Sequence, residues 1–279
     1  MENNIMKRPL GQTDLLLSPL GLGTWQFSKG TGVVGKFWGS LDDQLTEDII
    51  KTSLDGGINW FDTAEVYGGG ESEKILALAL NNIGATPEEA RIATKWWPMF
   101  RTATSLSKTI DTRKEALGNR PIDLYQIHQP YSLSSVEKQI KAMIELVKDG
   151  HIKHVGVSNF SATAMVNSHR ILTDNGLTLA SNQVKYSLLD RRIEENGTLE
   201  RAKDLGISII AYSPLEQGLL TGKFHDNPTL IQHAKGPRRL QRKFKEVGLA
   251  ETKPLISLLD AIGEKYNVSA SQVALNWTI

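Results

Sequence analysis

Four residues in the first half of the chain have the types and spacing for acid–base chemistry at an oxygen atom. In residues 59–70, NWFDTAEVYGGG, a β-favouring run with Ile58, Trp60 and Phe61 ends in Asp62, and a short loop carries Tyr67 into three glycines that can turn the backbone sharply. Two later strand-like runs, RIATKWW and DLYQIHQP, end in Lys95 and His128. Strand alternation places Ala93, Lys95 and Trp97 on one face, so the Lys95 ammonium is expected to point inward, where it needs a counter-charge. Asp62 is the candidate. A Lys–Asp pair beside Tyr67 would lower the phenol pKa and make it a general acid for a carbonyl oxygen. His128 could hydrogen-bond the same oxygen, orienting it or sharing in its protonation. A buried ion pair that only holds strands together would leave the same letters. The chemical reading gains weight because three successive strand ends carry the set.

The elements that position them follow one alternating pattern. Residues 7–20 hold two short apolar runs around 11–14 and read as a hairpin that plugs one end of the fold. A first core strand over 21–25 and a glycine-rich loop with Phe37 and Trp38 lead to a helix with apolar positions Leu45, Ile49, Ile50 and Leu54, capped by Asp42 or Asp43 and stopped by Gly56 and Gly57. Strands at 58–64, 91–97, 123–128 and 154–159 alternate with helices at 71–83, 106–118, 134–149 and 161–173; strands 180–186 and 207–213 follow. Such alternation means parallel strands, in either an open doubly wound sheet or a (β/α)₈ TIM barrel. No Gly-x-Gly-x-x-Gly turn opens a helix, and the ionisable groups come from successive strand ends, so the barrel is favoured. Residues 215–252 read as a long connection of lid or binding-loop character, before helices at 254–266 and 270–278.

Composition narrows the function classes. The 279 residues are 40% hydrophobic and 23% charged, enough for one α/β barrel domain over 1–279. Thirty-two basic and 31 acidic residues are interspersed to a net charge of +1, which gives no reason to expect nucleic acid or a membrane as partner and points to a small molecule. With no cysteine there is no disulfide, thiolate chemistry or Cys-built metal site. Neither a membrane span nor a secretion signal is visible, so a soluble cytoplasmic protein is expected; the oligomeric state stays open.

Six ordered segments, FDTAEVYGGGESE, IATKW, YQIHQP, HVGVSNFS, NQVKYSLLDR and AYSPLEQGLLTGK, resemble the successive signatures of the aldo-keto reductase family across almost the whole chain. The resemblance implies a (β/α)₈ barrel that reduces an aldehyde or ketone to an alcohol with NADPH and without a Rossmann fold. It also implies that Asp62, Tyr67, Lys95 and His128 form the catalytic tetrad, with Tyr67 as proton donor. It further implies that Ser158, Asn159 and Gln183 hold the nicotinamide carboxamide and that Tyr212 stacks on its ring. Ser213, Leu215, Gly218 and Leu219 would cradle the diphosphate, helped by Lys223 and Arg238; a solvated basic loop is the other reading of Lys223, Arg238 and Arg239. Trp25, Phe37, Trp38, Trp96 and Trp97 are candidates for an aromatic pocket around an apolar carbonyl compound, whose identity the sequence does not reveal.

The sequence departs from the family pattern at its end. Seven strands are visible, and the family's eighth strand, with the segment that grips the adenosine 2′-phosphate, has no counterpart after Trp277-Thr278-Ile279. The chain is therefore expected to be an incomplete piece of a longer protein, and NADH stays open beside NADPH. Two rival functions draw on some of the same residues. A metal-dependent hydrolase could use His151-x-x-His154, but that pair falls between a helix end and a strand start, opposite the site. Some members of the family serve as cofactor-sensing partners of membrane channels, a role in which an intact tetrad would also be kept.

Overall fold

The computed structural model describes residues 6–32, 41–233 and 236–279. Two strands, β1 (Arg8–Pro9) and β2 (Leu16–Leu17), pair antiparallel as the expected hairpin. Seven more form one sheet: β3 (Leu22–Gly23), β4 (Trp60–Asp62), β5 (Arg91–Trp96), β6 (Leu124–Ile127), β7 (His154–Ser158), β8 (Leu179–Lys185) and β9 (Ser208–Tyr212). Their spatial order is their chain order, and every pairing from β3 to β8 is parallel. A doubly wound sheet would reverse that order partway, so its absence decides between the two α/β architectures. The chain separates into two compact units, residues 1–183 with 196–210, and residues 184–195 with 211–279.

In the first unit five helices alternate with the strands: α1 (Asp43–Asp55), α2 (Glu71–Asn82), α3 (Thr104–Ala116), α4 (Val136–Lys148) and α5 (Ala162–Thr173). Asp42, Ser135 and Ser161 cap α1, α4 and α5 by accepting a backbone N–H two or three residues into the helix. Strand alternation then sorts the side chains. On β5, Ile92 and Trp96 join the helix-side core, with Tyr125 and Ile127 of β6 and Val155 and Val157 of β7. The opposite face carries Ala93 and Leu124, which pack with Leu10, Leu15 and Leu17 of the hairpin and with Trp60 and Ala180. Asn59 and Ser18 exchange hydrogen bonds of 2.7 and 3.1 Å and the Trp60 indole donates to the Ser18 carbonyl, so the hairpin is fastened at the amino ends of the strands.

Several elements differ from expectation. The first strand is only Leu22–Gly23: the Thr24 N–H still bonds the Asp62 carbonyl, but the Thr24 carbonyl accepts from Phe27 N and the chain winds into a 3₁₀ turn at Trp25–Ser28. Between β8 and β9, where none was expected, lie two short helices, α6 (Arg192–Glu195) and α7 (Thr198–Asp204), parted by Asn196 and a left-handed Gly197.

The second unit holds α8 (Lys223–Asp226), α9 (Glu246–Tyr266) and α10 (Ala270–Trp277). In its stretch between 216 and 244, expected as a long connection of lid or binding-loop character, the described residues form 3₁₀ turns on either side of α8. The expected helix start at Pro254 is wrong, since α9 begins eight residues earlier and runs through the proline. Pro254 removes one helical hydrogen bond, at a cost of about 3 kcal/mol, yet Leu249, Ile256 and Leu259 lie buried on either side of it and hold both halves in place.

The hairpin turn is a tightly packed point of this arrangement. Gly11 has φ +58°, its N–H donates to Ser208 Oγ at 2.7 Å, and a Cβ there would sit 2.5 Å from the Ala180 carbonyl oxygen. Gly11→Ala is therefore expected to lose about 2–4 kcal/mol from left-handed strain and overpacking together. Urea denaturation of the two proteins checks it.

Candidate functional site

The sheet brings Asp62, Tyr67, Lys95 and His128 together at the carboxyl ends of β4, β5 and β6. Lys95 is wholly buried. Its ammonium forms a tight ion pair with Asp62 Oδ2 and donates to the Thr63 carbonyl at 2.8 Å. Burial by itself would push the lysine towards the neutral amine, but the Asp62 carboxylate and the Tyr67 phenol beside it outweigh burial and hold its pKa above the ordinary value. The other Asp62 oxygen accepts from Gln126 at 3.2 Å and Gln183 at 3.0 Å, so three side chains fix the carboxylate.

Tyr67 is placed by its loop. The Glu65 N–H bonds the Lys95 carbonyl, the Tyr67 N–H closes a turn on Ala64, and Gly68, Gly69 and Gly70 are all left-handed, which lets the chain reverse into α2. The phenol ring stacks on Trp25 at 5.5 Å between centroids, meets His128 edge-on at 5.7 Å and has the Lys95 ammonium 5.1 Å from its centre. Burial and the Lys95 charge push the His128 pKa well below the usual histidine range, so the ring is neutral at physiological pH. Its Nδ1 is buried with no hydrogen-bond partner among the described residues.

The aromatic candidates separate. Trp25 touches Tyr67, and Trp97 meets His128 edge-on at 5.2 Å. Trp96 does not line the site: alternation turns it to the helix side, where it is fully buried and its indole N–H donates to Ser105 at 3.0 Å. Phe37 and Trp38 lie outside the described residues.

Candidate cofactor contacts occur in each unit. In the first, Ser158 is buried and donates to the Gln183 carbonyl at 2.9 Å, while the left-handed Asn159 reaches the Ser158 hydroxyl and the His128 carbonyl. In the second, Ser213, Glu216, Gln217 and Gly218 all have positive φ, and the Glu216 and Gly218 N–H groups bond the Ser213 and Leu215 carbonyls within the turn. Lys223 stands over this turn, and Arg238 donates to the Gln217 carbonyl at 3.2 Å. Leu219 is fully buried among Phe224, Phe244 and Leu249, and Leu215 packs on the core of α9 and α10, so both offer backbone rather than side chain. The Glu216 carboxylate is held by Lys185 at 2.8 Å and Lys243 at 2.7 Å, which keep it ionised against burial. Lys223 and Arg238 give this turn cationic groups of the kind the diphosphate of a dinucleotide would need.

Sequence reasoning missed a second layer behind Tyr67. Glu65 pairs with Arg101 and lies 3.9 Å from Arg113, and Arg113 pairs with Glu73, which also accepts from Thr94. No periodicity marks this set. Gln126 was also missed, although its spacing of two from His128 was a usable sign that both face inward. Among the described residues no cluster of three potential metal ligands occurs and no helix is long and apolar enough to cross a membrane; His154 lies 3.2 Å from Asp14.

Comparison with known proteins adds a family. Residues 19–279 match the model of the aldo/keto reductase family. Aldo-keto reductase YhdN of Bacillus subtilis is 31% identical over 97% of this chain and 80% of its own length. The chloroplastic pyridoxal reductase of Arabidopsis thaliana is 31% identical over 95% and 73%. The solved structure of a glycerol dehydrogenase from Gluconobacter oxydans superposes with a TM-score of 0.81 at 29% identity, covering 100% of this chain and 83% of that one. The fold class is accordingly that of the (β/α)₈ barrel with an amino-terminal hairpin.

The buried Glu73 gives a pH test. Burial raises its pKa to about 7 from an ordinary 4.5, against the opposing pulls of Arg113 and Thr94. The folded state thus keeps a proton that the unfolded chain releases. This contribution is whole below about pH 4.5 and is lost as pH rises through 7, in total on the order of 3 kcal/mol. The depressed His128 and His154 act in the opposite sense. The expected outcome is therefore differential: between pH 5 and 8 the melting temperature of Glu73→Gln rises relative to the parent, measured by calorimetry in parallel buffers.

Proposed function

The chain belongs to the aldo/keto reductase family and is an oxidoreductase; on that premise we propose that it reduces the carbonyl group of an aldehyde or ketone with NADPH, NADH being the alternative donor. The observation that carries the reading is the wholly buried Lys95 ammonium, neutralised by Asp62 and set against Tyr67. Burying such a charge costs several kcal/mol even when paired, and a barrel interior could be filled with apolar side chains instead.

A dihydronicotinamide, when bound, would supply hydride for the carbonyl carbon. This chain's residues manage the oxygen. Tyr67 donates a proton to the developing alkoxide, and the fixed Lys95 charge stabilises the phenolate left behind. Asp62 keeps Lys95 in place and is itself fixed by Gln126 and Gln183. His128 was open to two roles; a neutral imidazole favours orienting the carbonyl by a hydrogen bond over giving it a proton. Ser158, Asn159 and Gln183 would bind the nicotinamide amide and Tyr212 its ring. The left-handed turn at Ser213–Gly218, with Lys223 and Arg238, would hold the diphosphate.

The direct test is a panel of aldehydes and ketones assayed with NADPH and NADH. Tyr67→Phe is expected to lower kcat by about 10²–10⁴ while leaving cofactor affinity unchanged, because it removes the proton donor and no dinucleotide contact. Lys95→Met should be comparably slow, and Asp62→Asn less so, since Asp62 acts through Lys95. Tight cofactor binding with no turnover across the panel would point instead to a cofactor-sensing role.

A further inference from the structure

A group of buried hydroxyls meets beside the loop that carries Tyr67. Thr24 follows β3, Thr63 follows β4 and Ser72 stands in the first turn of α2, and none of them has exposed surface. The Ser72 hydroxyl donates to the Thr24 carbonyl at 2.6 Å and accepts from the Thr63 hydroxyl at 3.0 Å, with the Thr24 hydroxyl another 3.0 Å away. An alanine or valine would fill such positions without the cost of taking a hydroxyl out of water, so packing alone does not account for the set.

The segments it joins do. The Thr63 carbonyl accepts from the Lys95 ammonium at 2.8 Å, so Thr63 holds the lysine by its backbone and Ser72 by its side chain. The residue after Thr24 is Trp25, whose ring stacks on Tyr67 at 5.5 Å, and the Thr24 N–H and hydroxyl reach the Asp62 carbonyl at 2.8 and 3.1 Å. Ser72 also donates its N–H to the Tyr67 carbonyl at 3.2 Å, across the left-handed glycines that would otherwise leave this stretch slack. The path from the Lys95 ammonium to the Tyr67 backbone therefore runs through Thr63 and Ser72 alone, and a branch through Thr24 fixes the ring's stacking partner.

We propose that Ser72 is a positioning residue whose hydroxyl sets where the Tyr67 phenol stands relative to the Lys95 ammonium. A fixed separation fixes how far the lysine favours phenolate over phenol, and it holds the proton donor at one place for the oxygen it serves. The inference rests on the proposed carbonyl reduction and deepens it.

The first readout needs neither cofactor nor turnover: the ionisation of Tyr67, taken from near-ultraviolet difference absorbance between each protein and the same protein carrying Tyr67→Phe. Ser72→Ala keeps the backbone bond to Tyr67 and a good helix former, and withdraws only the hydroxyl. It is expected to lower the ionisation constant of the phenol about tenfold, and kcat about tenfold with KM and NADPH affinity within about twofold, because the donor moves and no binding group is lost. Ser72→Thr, which restores the hydroxyl, should recover most of both. Ser168→Ala is the control: it withdraws a buried hydroxyl of α5 that donates to the Ala164 carbonyl at 2.8 Å, and should lower the melting temperature while leaving both readouts unchanged. A Ser72→Ala protein that melts lower than the parent yet titrates and turns over like it would overturn the proposal and leave the hydroxyls a packing device. So would a Ser72→Thr protein as impaired as Ser72→Ala. Should Ser72→Ala not fold, Thr63→Val, which keeps the shape and withdraws one bond from the same oxygen, is expected to lower both readouts about threefold, and unchanged values there would overturn the proposal equally. Absence of turnover in the parent would count against the reductase reading, whereas the phenol titration would still decide the role of Ser72.

Discussion

A positive charge with no access to water constrains the first unit. The interior-facing position of β5 next to the strand end is a lysine, and the sheet must surround it with acceptors. Asp62 supplies the charge and the Thr63 carbonyl a second acceptor, both from the neighbouring strand. The pair then dictates what else can stand in that layer. Gln126 and Gln183 approach the outer oxygen of Asp62, from β6 and β8, so strands distant in sequence are registered on one carboxylate. Burial, together with the same charge, keeps His128 neutral, and the phenol of Tyr67 stands beside the ammonium.

Behind this layer a second set of charges holds the loops rather than the strands. Glu65 lies between two arginines, one from the turn after β5 and one from α3, and Glu73 at the start of α2 completes the chain of pairs. Removing one member would leave a charge buried without its counter-charge, which costs more than the pair contributes. That asymmetry explains how a loop containing three consecutive glycines can keep Tyr67 in one place. The glycines provide the reversal of direction, and the acidic residues on either side of them provide its fixity.

Much of this was legible in the sequence because it follows period two. The spacing of Ala93, Lys95 and Trp97 already put the lysine inside, and the succession of strand ends at Asp62, Lys95 and His128 already implied one face. The same rule, applied to Trp96, would have assigned it to the core, and grouping it with Trp97 ignored the alternation that had placed Lys95. What stayed hidden has no period. Arg101 reaches Glu65 across 36 residues, through a turn whose shape depends on a left-handed phenylalanine, and nothing in the letters PMFRT announces that conformation. Pro254 misled for a related reason: its local effect is to stop a helix, and only the buried stripe of Leu249, Ile256 and Leu259 shows that packing overrules it.

The two units answer the need for binding groups in different ways. In the first, side chains supply the polar groups, some of them already engaged, as with Ser158 on the Gln183 carbonyl, and others not, as with His128 Nδ1. In the second, backbone does so, through a run of left-handed residues that includes a glutamate and a glutamine. Non-glycine residues in that conformation cost of order 1 kcal/mol each and need external support. Glu216 has it, because Lys185 and Lys243 grip its carboxylate from β8 and from the turn before α9. The two lysines neutralise the one carboxylate next to the turn. The carboxylate that would otherwise carry an unbalanced negative charge there is thereby neutralised and fixed, and the left-handed turn is held with it.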